Sequence, residues 1–379
     1  MINSELVELI RRLHAAPPRL AAAATGGGSR FISALLSVPG ASQTVLEATV
    51  PYALEALTEW LGSRPEQACS SQTARAMAMR SFERAKRLRG DDSWPILGVG
   101  LTASLASDRP KRGAHRVHLA VQSNSATWSV SLELAKGTRT RDEEEDVAAT
   151  LALDVVAEAC GIDDRPAVRL RAEEQVVRRR TDALPTWIEL AEEKRRKTDE
   201  RRGRTADPAP TRALFPGSFH PLHAGHLQMA EVAAAKLGCP VEFEFSIENV
   251  EKPPLDFEEM EDRANQFDAR TRVWFTRAPR MVQKARLFPG AAIVCGIDTL
   301  LRVADVKFSA GSEAERDRTL AEIESLGCRF LVFGRLCGDR FQTLDDIGLP
   351  ETLRRICDGI AEPEFRSDVS STELRKNAD

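Results

Sequence analysis

Apolar and polar residues alternate along "VEFEFSI" at 241–247, placing Val241, Phe243, Phe245 and Ile247 on one side of an extended chain, which predicts a β-strand. "TRALF", "RVWFT", "AAIVCGID" and "RFLVFGR" predict further strands, with helical stretches between them, the first from about His226 to Leu237. Strands that alternate with helices imply a largely parallel, doubly wound sheet over residues 212–379. Such sheets bind ligands at the carboxyl ends of their strands, near the point where strand order reverses. Nearer the N-terminus, "SRFISALLSVP" is amphipathic, "RVHLAVQSN" and "WSVSLELA" alternate as a hairpin pair would, and "EDVAATLALDVVAEACGI" predicts a helix closed by Gly161. These elements predict one α/β domain over residues 1–163.

Between the two lies a stretch dense in mixed charge, "RAEEQVVRRRTDALPTWIELAEEKRRKTDERRGR", followed by the proline-bearing "TADPAPT". Residues 164–211 therefore read as a charged, partly helical linker, with acids ahead of bases at helical spacing in "LPTWIELAEEKRR". Its Arg and Lys clusters read as a solvated helix face. No internal repeat links the halves.

At 379 residues the chain is long enough for two domains with cores of their own. A net charge of -4 provides no basic field, so nucleic acid is not an expected partner. Seven cysteines, scattered, odd in number and never spaced C-x-x-C, argue against a disulfide framework and a zinc knuckle. No stretch approaches the roughly 20 apolar residues of a membrane span, and the N-terminus lacks a signal pattern, so a cytoplasmic protein without a membrane partner is expected. Oligomeric state is left open, a homo-oligomer included.

The chemistry concentrates in "GSFHPLHAGH", residues 217–226, which holds His220, His223 and His226 among glycines and prolines. A metal site would need a helix to align them, but Pro221 and Gly225 interrupt the segment and no acid or cysteine lies near, so no metal-ligating set is assigned. A buried histidine core is disfavoured because such a loop buries little. Anion handling fits better: Gly217 lets backbone approach a ligand, the Ser218 and Phe219 amides can face phosphate oxygens, and a helix beginning near Gly225 adds its positive end. With an ordinary histidine pKa near 6.5, both protonation states would be accessible at neutral pH.

These residues resemble the G-x-F-x-P-x-H-x-G-H signature of the nucleotidyltransferase superfamily, with His223, Ala224, Gly225 and His226 as its H-x-G-H element. A second stretch, "SDVSSTELRK", resembles that superfamily's S-S-T-x-x-R motif through Ser370, Ser371, Thr372 and Arg375; Ser370 and Glu373 also have capping-box spacing. The resemblance implies a Rossmann-like domain in which a phosphate-bearing cosubstrate attacks the α-phosphate of a nucleoside triphosphate and pyrophosphate leaves. It implies His223 and His226 on the α-phosphate, and Arg375 with the three hydroxyl residues on the leaving pyrophosphate. Mg²⁺ is implied as an ion arriving with ATP. Gly296 and Asp298, at a strand end, stand where the superfamily has a nucleotide-holding G-x-D, although a capping aspartate reads equally well. "SIENVEKPPLDFEEMEDR" resembles the substrate-side loop of nicotinamide mononucleotide adenylyltransferases, with Asn249 and Lys252 as cosubstrate candidates. It has Leu255 and Asp256 where a P-P-H-K ending is commoner. His220 stands at a variable place and is not assigned a catalytic role.

Residues 5–163 resemble the CinA carboxy-terminal family, whose active members are nicotinamide mononucleotide amidohydrolases. The matching stretches are "AAAATGGGSRFISALLSVPGAS", "VPYALEAL" and "LGVGLTASLA". The nucleophilic serine is replaced by Ala23 and the lysine after the retained Tyr52 by Leu57, while Ala103 and Ala106 replace glycines of a later loop. A methyl group cannot serve as nucleophile, so no amidase activity is expected. Thr25, Gly26, Gly27 and Gly28 remain as either a phosphate-binding turn or a packed one. Together these features predict an adenylyltransferase that joins AMP from ATP to a phosphorylated cosubstrate, nicotinamide mononucleotide foremost, giving NAD. The alternatives are a phosphopantetheine or phosphoalcohol cosubstrate, CTP as donor, or a catalytically weak regulatory protein that binds pyridine nucleotides.

Overall fold

The computed structural model describes residues 4–108, 112–200, 210–249, 252–308, 311–338 and 340–366. The chain divides into two compact units, Met1–Ala183 with Asn249–Met260, and Leu184–Glu248 with Glu261–Asp379.

The first unit holds a six-stranded sheet of β1 (Arg19–Thr25), β2 (Val45–Thr49), β3 (Ile96–Ser104), β4 (His115–Gln122), β5 (Ala126–Leu134) and β6 (Val176–Asp182), in the order β2-β1-β3-β4-β5-β6. β1 pairs parallel with β2 and β3, and the rest is antiparallel. One face is covered by α1 (Ser4–Ala15), α2 (Ser29–Ser37) and α5 (Arg141–Ala159), whose Leu9, Phe31 and Val155 join Val99, Leu119 and Val130 in one core. The other face takes α3 (Leu54–Leu61) and α4 (Ser71–Arg89). α4 lies against β3 because Gly98 and Gly100 have no side chain there: a Cβ on Gly100 would stand 2.2 Å from the Ala74 carbonyl oxygen. α5 opens with a capping box in which Thr140 and Glu143 each satisfy the other's backbone amide.

Asn249–Met260, far along the sequence, belongs to this unit. Arg75 of α4 meets Asp256 at 3.6 Å, Glu258 at 2.7 Å and Glu259 at 2.9 Å, all of them buried. Ser129 donates to Glu258 at 2.6 Å, and the Phe257 amide donates to Thr127. Burial pushes the Asp256 carboxyl above its ordinary range.

The stretch 164–211, read from the sequence as a linker, is shared between the units. β6 falls inside it, and several of its charges form ion pairs: Arg178 pairs with Asp154 and Glu158 of α5, and Arg165 meets Asp154 at 3.0 Å. The predicted helix is α6 (Pro185–Ala191), which stops short of the basic run.

The second unit has a seven-stranded sheet of β7 (Lys197–Thr198), β8 (Ala213–Pro216), β9 (Glu242–Ser246), β10 (Val273–Thr276), β11 (Ala292–Gly296), β12 (Arg329–Phe333) and, after the hairpin of β13 (Arg335–Cys337) and β14 (Arg340–Gln342), β15 (Cys357–Ile360). The order is β15-β12-β11-β8-β9-β10-β7, and every pair is parallel except β7 with β10. The chain runs outward from β8 to β9 and β10, then returns to β11 on the other side of β8. The sheet is thus doubly wound, with its switch point between β8 and β11, as the sequence predicts. Its helices are α7 (Ala224–Leu237), α8 (Phe257–Asn265, whose first residues belong to the first unit), α9 (Met281–Leu287), α10 (Ile297–Ala304), α11 (Glu313–Ser325) and α12 (Glu351–Arg354).

The alternation that predicts β9 does not mark an exposed face, for Glu242 and Glu244 are also buried. Glu242 accepts from Thr211 at 2.5 Å, Trp274 at 2.7 Å and Arg272 at 3.2 Å, whereas Glu244 accepts from Lys284 at 2.6 Å and from Thr276. Each carboxylate is paired and hydrogen-bonded, the condition under which burial of charge is tolerated.

Candidate functional site

β8 is short because Pro216 and Gly217 end it at the switch point. A Cβ on Gly217 would stand 2.6 Å from the Phe219 ring, so the turn requires glycine. Phe219 has φ 40, in the left-handed region that non-glycine residues avoid, and its buried ring fills the space beneath the loop. That ring lies 5.1 Å from Phe215, 5.1 Å from Phe243, 5.4 Å from Phe245 and 5.0 Å from His226, mostly edge to face. Ser218 is exposed above it, and the Ser218 and Phe219 amides have no partner among the described residues. Gln266 and Arg263, which no sequence signal marks, hold the loop from beneath. Gln266 Nε2 donates to the Phe219 carbonyl at 3.0 Å, Gln266 Oε1 accepts from the Leu222 amide at 2.7 Å, and Arg263 donates to the Ser218 carbonyl at 3.2 Å.

His223 is the N-cap of α7 and His226 lies in its first turn, where both rings stack with centroids 3.7 Å apart. His226 Nδ1 accepts the His223 amide at 3.3 Å, which leaves its ring proton on Nε2. Burial and then the neighbouring His223 push the His226 pKa down to about 4, and burial lowers that of His223. The His226 ring is therefore neutral at pH 7, where the sequence alone leaves either protonation state accessible, and burial shifts His223 in the same direction. A neutral imidazole with Nε2–H is a hydrogen-bond donor beside the positive end of a helix. His220 precedes a cis peptide bond to Pro221.

Across the switch point, Gly296 ends β11 and is the N-cap of α10, without a side-chain cap bond. Asp298 pairs with Arg335 of β13, so it is not the capping aspartate that the sequence equally allows. Gly217, Ser218, Phe219, His223 and His226 thus share one loop and helix start, and Gly296 and Asp298 follow the neighbouring strand. Asn249 and Lys252 are exposed and belong to the residues grouped with the first unit. Ser370, Ser371, Thr372 and Arg375 lie outside the described residues. Among the described residues, no three His, Cys, Asp or Glu side chains are placed to hold a metal ion, and no helix is long and apolar enough to cross a membrane.

In the first unit, Ala23 and Leu57 pack together with Leu61 and Met77 in one buried apolar cluster, while Tyr52 is exposed. The glycine turn after β1 is occupied from within. Gly28 N–H donates to Glu145 at 2.8 Å, and the Ala106 amide donates to the fully buried Glu144 at 2.6 Å. Glu144 also bonds His115 at 2.8 Å, and Arg141 reaches the Gly26 carbonyl at 2.9 Å and that of Ala106 at 3.1 Å. Gly26 and Gly28 have positive φ, and a Cβ on either would stand 2.2 Å from β3. Of the two readings that the sequence allows, this geometry is the packed turn.

Residues 3–160 match the CinA C-terminal domain family, and residues 214–377 match the cytidylyltransferase-like family, which supports a nucleotidyltransferase. Solved structures of three proteins are similar over 42% of this chain: the competence/damage inducible protein CihA from Agrobacterium tumefaciens (23% identity, 98% of that chain, TM-score 0.34), a CinA superfamily protein from Escherichia coli (18%, 93%, 0.33) and a competence or damage-inducible protein from Enterobacter asburiae (19%, 99%, 0.34). No curated protein matches the sequence.

Proposed function

We propose that this chain, in which a CinA-like region precedes a cytidylyltransferase-like one, transfers AMP from ATP to a phosphorylated cosubstrate, nicotinamide mononucleotide foremost, with NAD and pyrophosphate as products. The observation that carries the reading is the stacked pair of histidines, His223 and His226, at the start of α7 beside the switch point. A phosphate oxygen of the cosubstrate attacks the α-phosphorus, the new P–O bond forms, and the bond to the β-phosphate oxygen breaks, with the electron pair leaving on pyrophosphate. No proton need be removed from the attacking phosphate, so the protein's task is alignment and charge stabilisation.

His226 Nε2–H and His223 would donate to the non-bridging α-phosphate oxygens as charge builds there. The Ser218 and Phe219 amides and the first turn of α7 would receive the triphosphate. Ser370, Ser371, Thr372 and Arg375 are proposed to hold the leaving pyrophosphate, and Gly296 and Asp298 the nucleoside end. Mg²⁺, arriving on ATP, would neutralise phosphate charge when bound.

The mononucleotide assignment is supported by the resemblance of the 246–263 stretch and by the CinA-like region beside it. CTP stays as the alternative donor because the matched family is cytidylyltransferase-like. The deciding assay offers the full chain Mg²⁺, ATP or CTP and a panel of phosphorylated cosubstrates, including nicotinamide mononucleotide and phosphopantetheine, and measures pyrophosphate. Release with ATP and nicotinamide mononucleotide is expected, with a loss of about a hundredfold or more for His226→Ala, the scale for losing one preorganised donor. No release with any pair would leave the regulatory reading in its place.

A further inference from the structure

The loop that carries the histidines is bridged by a side chain from outside it. Between Phe219 and Leu222 the chain passes through Pro221, which has no amide to donate, and Phe219 sits at φ 40. The side chain of Gln266, just after α8, bridges this span: it donates to the Phe219 carbonyl at 3.0 Å and accepts the Leu222 amide at 2.7 Å. Leu222 directly precedes His223, the N-cap of α7, so the second bond fixes the chain where the histidine pair begins. The adjoining Phe267 ring anchors the same segment below, 6.0 Å from the Phe219 ring and 4.6 Å from that of Phe243. The left-handed backbone at Phe219 persists only where its surroundings over-determine it, and these contacts are what does so.

We infer that Gln266 is a positioning residue: it sets the loop conformation that presents His223 and His226 to the α-phosphate. The inference rests on the transferase reading for its consequence in catalysis, but not for its geometry. Gln266 touches no reacting atom in this scheme. Its removal moves the histidines relative to the phosphate, so it slows the chemical step while leaving nucleotide affinity nearly intact.

The test uses the full chain with Gln266→Met, which keeps the side-chain length but neither hydrogen bond, and reads two signals. Ring ¹⁵N spectra of the histidine-labelled protein, which has only six histidines, report the environments of His223 and His226 without any turnover. Pyrophosphate release gives kcat and KM. The expected result is displaced ring signals for both histidines, together with a fall in kcat of about ten- to a hundredfold, the range for a misplaced catalytic group, and little change in KM for ATP. Gln266 is exposed, so thermal unfolding should match the parent.

Unmoved histidine signals overturn the clamp whatever the activity. Moved signals with an unchanged kcat overturn its catalytic role. A parent protein inactive with every substrate pair sinks the transferase reading alone, and the ring spectra still decide the clamp.

Discussion

A histidine that is neutral because it is buried behaves differently from an ordinary one as the pH falls. His226, held at about 4, stays unprotonated across the range where a solvent-exposed imidazole titrates, and burial shifts His223 in the same direction. Pyrophosphate release should therefore show no inflection from His226 between about pH 6 and 8, its contribution declining toward about pH 4, and any from His223 should lie below the ordinary histidine value; a step at or above about pH 6.5 would contradict neutral donors. The position of these residues is legible in "HAGH", but their protonation state is not. It depends on Phe215 and Phe219 closing over the ring, and Phe219 reaches it only through an unusual backbone angle. Gln266 and Arg335 are invisible for a related reason: each acts through a partner distant in sequence, within no periodic or motif-like context. The same scale accounts for the first unit's glycine turn, where Glu145 takes the Gly28 amide that an anion would need. Glu145→Ala should expose that amide and add a phosphate-binding site, countable by titration calorimetry against the parent; equal stoichiometry would show that the carboxylate was not the obstacle.

At the level of elements, strands with branched or aromatic residues in alternation, such as β9, β10, β11 and β12, are readable from the chain. β1 and β3 are not, because "RLAAAAT" and "ILGVGLTAS" are rich in alanine and glycine, residues chosen for closeness of packing rather than for strand propensity. Gly100→Val should measure that closeness. Its Cβ would meet the Ala74 carbonyl oxygen at 2.2 Å and the Ala78 amide nitrogen at 2.4 Å, backbone atoms that cannot swing aside. A loss of about 1–3 kcal/mol or more in the first unit's unfolding free energy is expected from such overpacking, read from denaturant curves; a neutral variant would mean that α4 is free to slide. β6 is not readable from the chain because its arginines suggest a solvated linker, whereas Arg178 uses its charge against Asp154 and Glu158 of α5.

The two-domain division is legible in the sequence, but its boundary is not a single cut. Both units share one response to acid. His14 and His118 in the first, with His118 at about 4, and His223 and His226 in the second are all lowered by burial. Between about pH 6.5 and 4 the unfolded chain binds protons that the folded one does not, so stability should fall as the pH drops through that window, and urea midpoints at pH 7, 6 and 5 should decrease in step. Midpoints that hold steady to pH 5 would refute this.

The first unit also depends on residues that no contiguous N-terminal fragment contains. A fragment of residues 1–183 lacks Asp256, Glu258 and Glu259 and leaves the buried Arg75 without its carboxylates, a loss of about 3–5 kcal/mol when a buried pair is broken. It should unfold at lower denaturant than the same unit in the full chain, and Arg75→Met should recover part of the difference; a fragment as stable as the parent would rule this out. During synthesis the same arrangement imposes an order of events. Domains ordinarily fold as the ribosome releases them, N-terminal first, but here the leading unit stays incomplete until residue 260 has emerged, with β8, α7 and β9 of the second unit already made. The two halves of this fusion must then mature together.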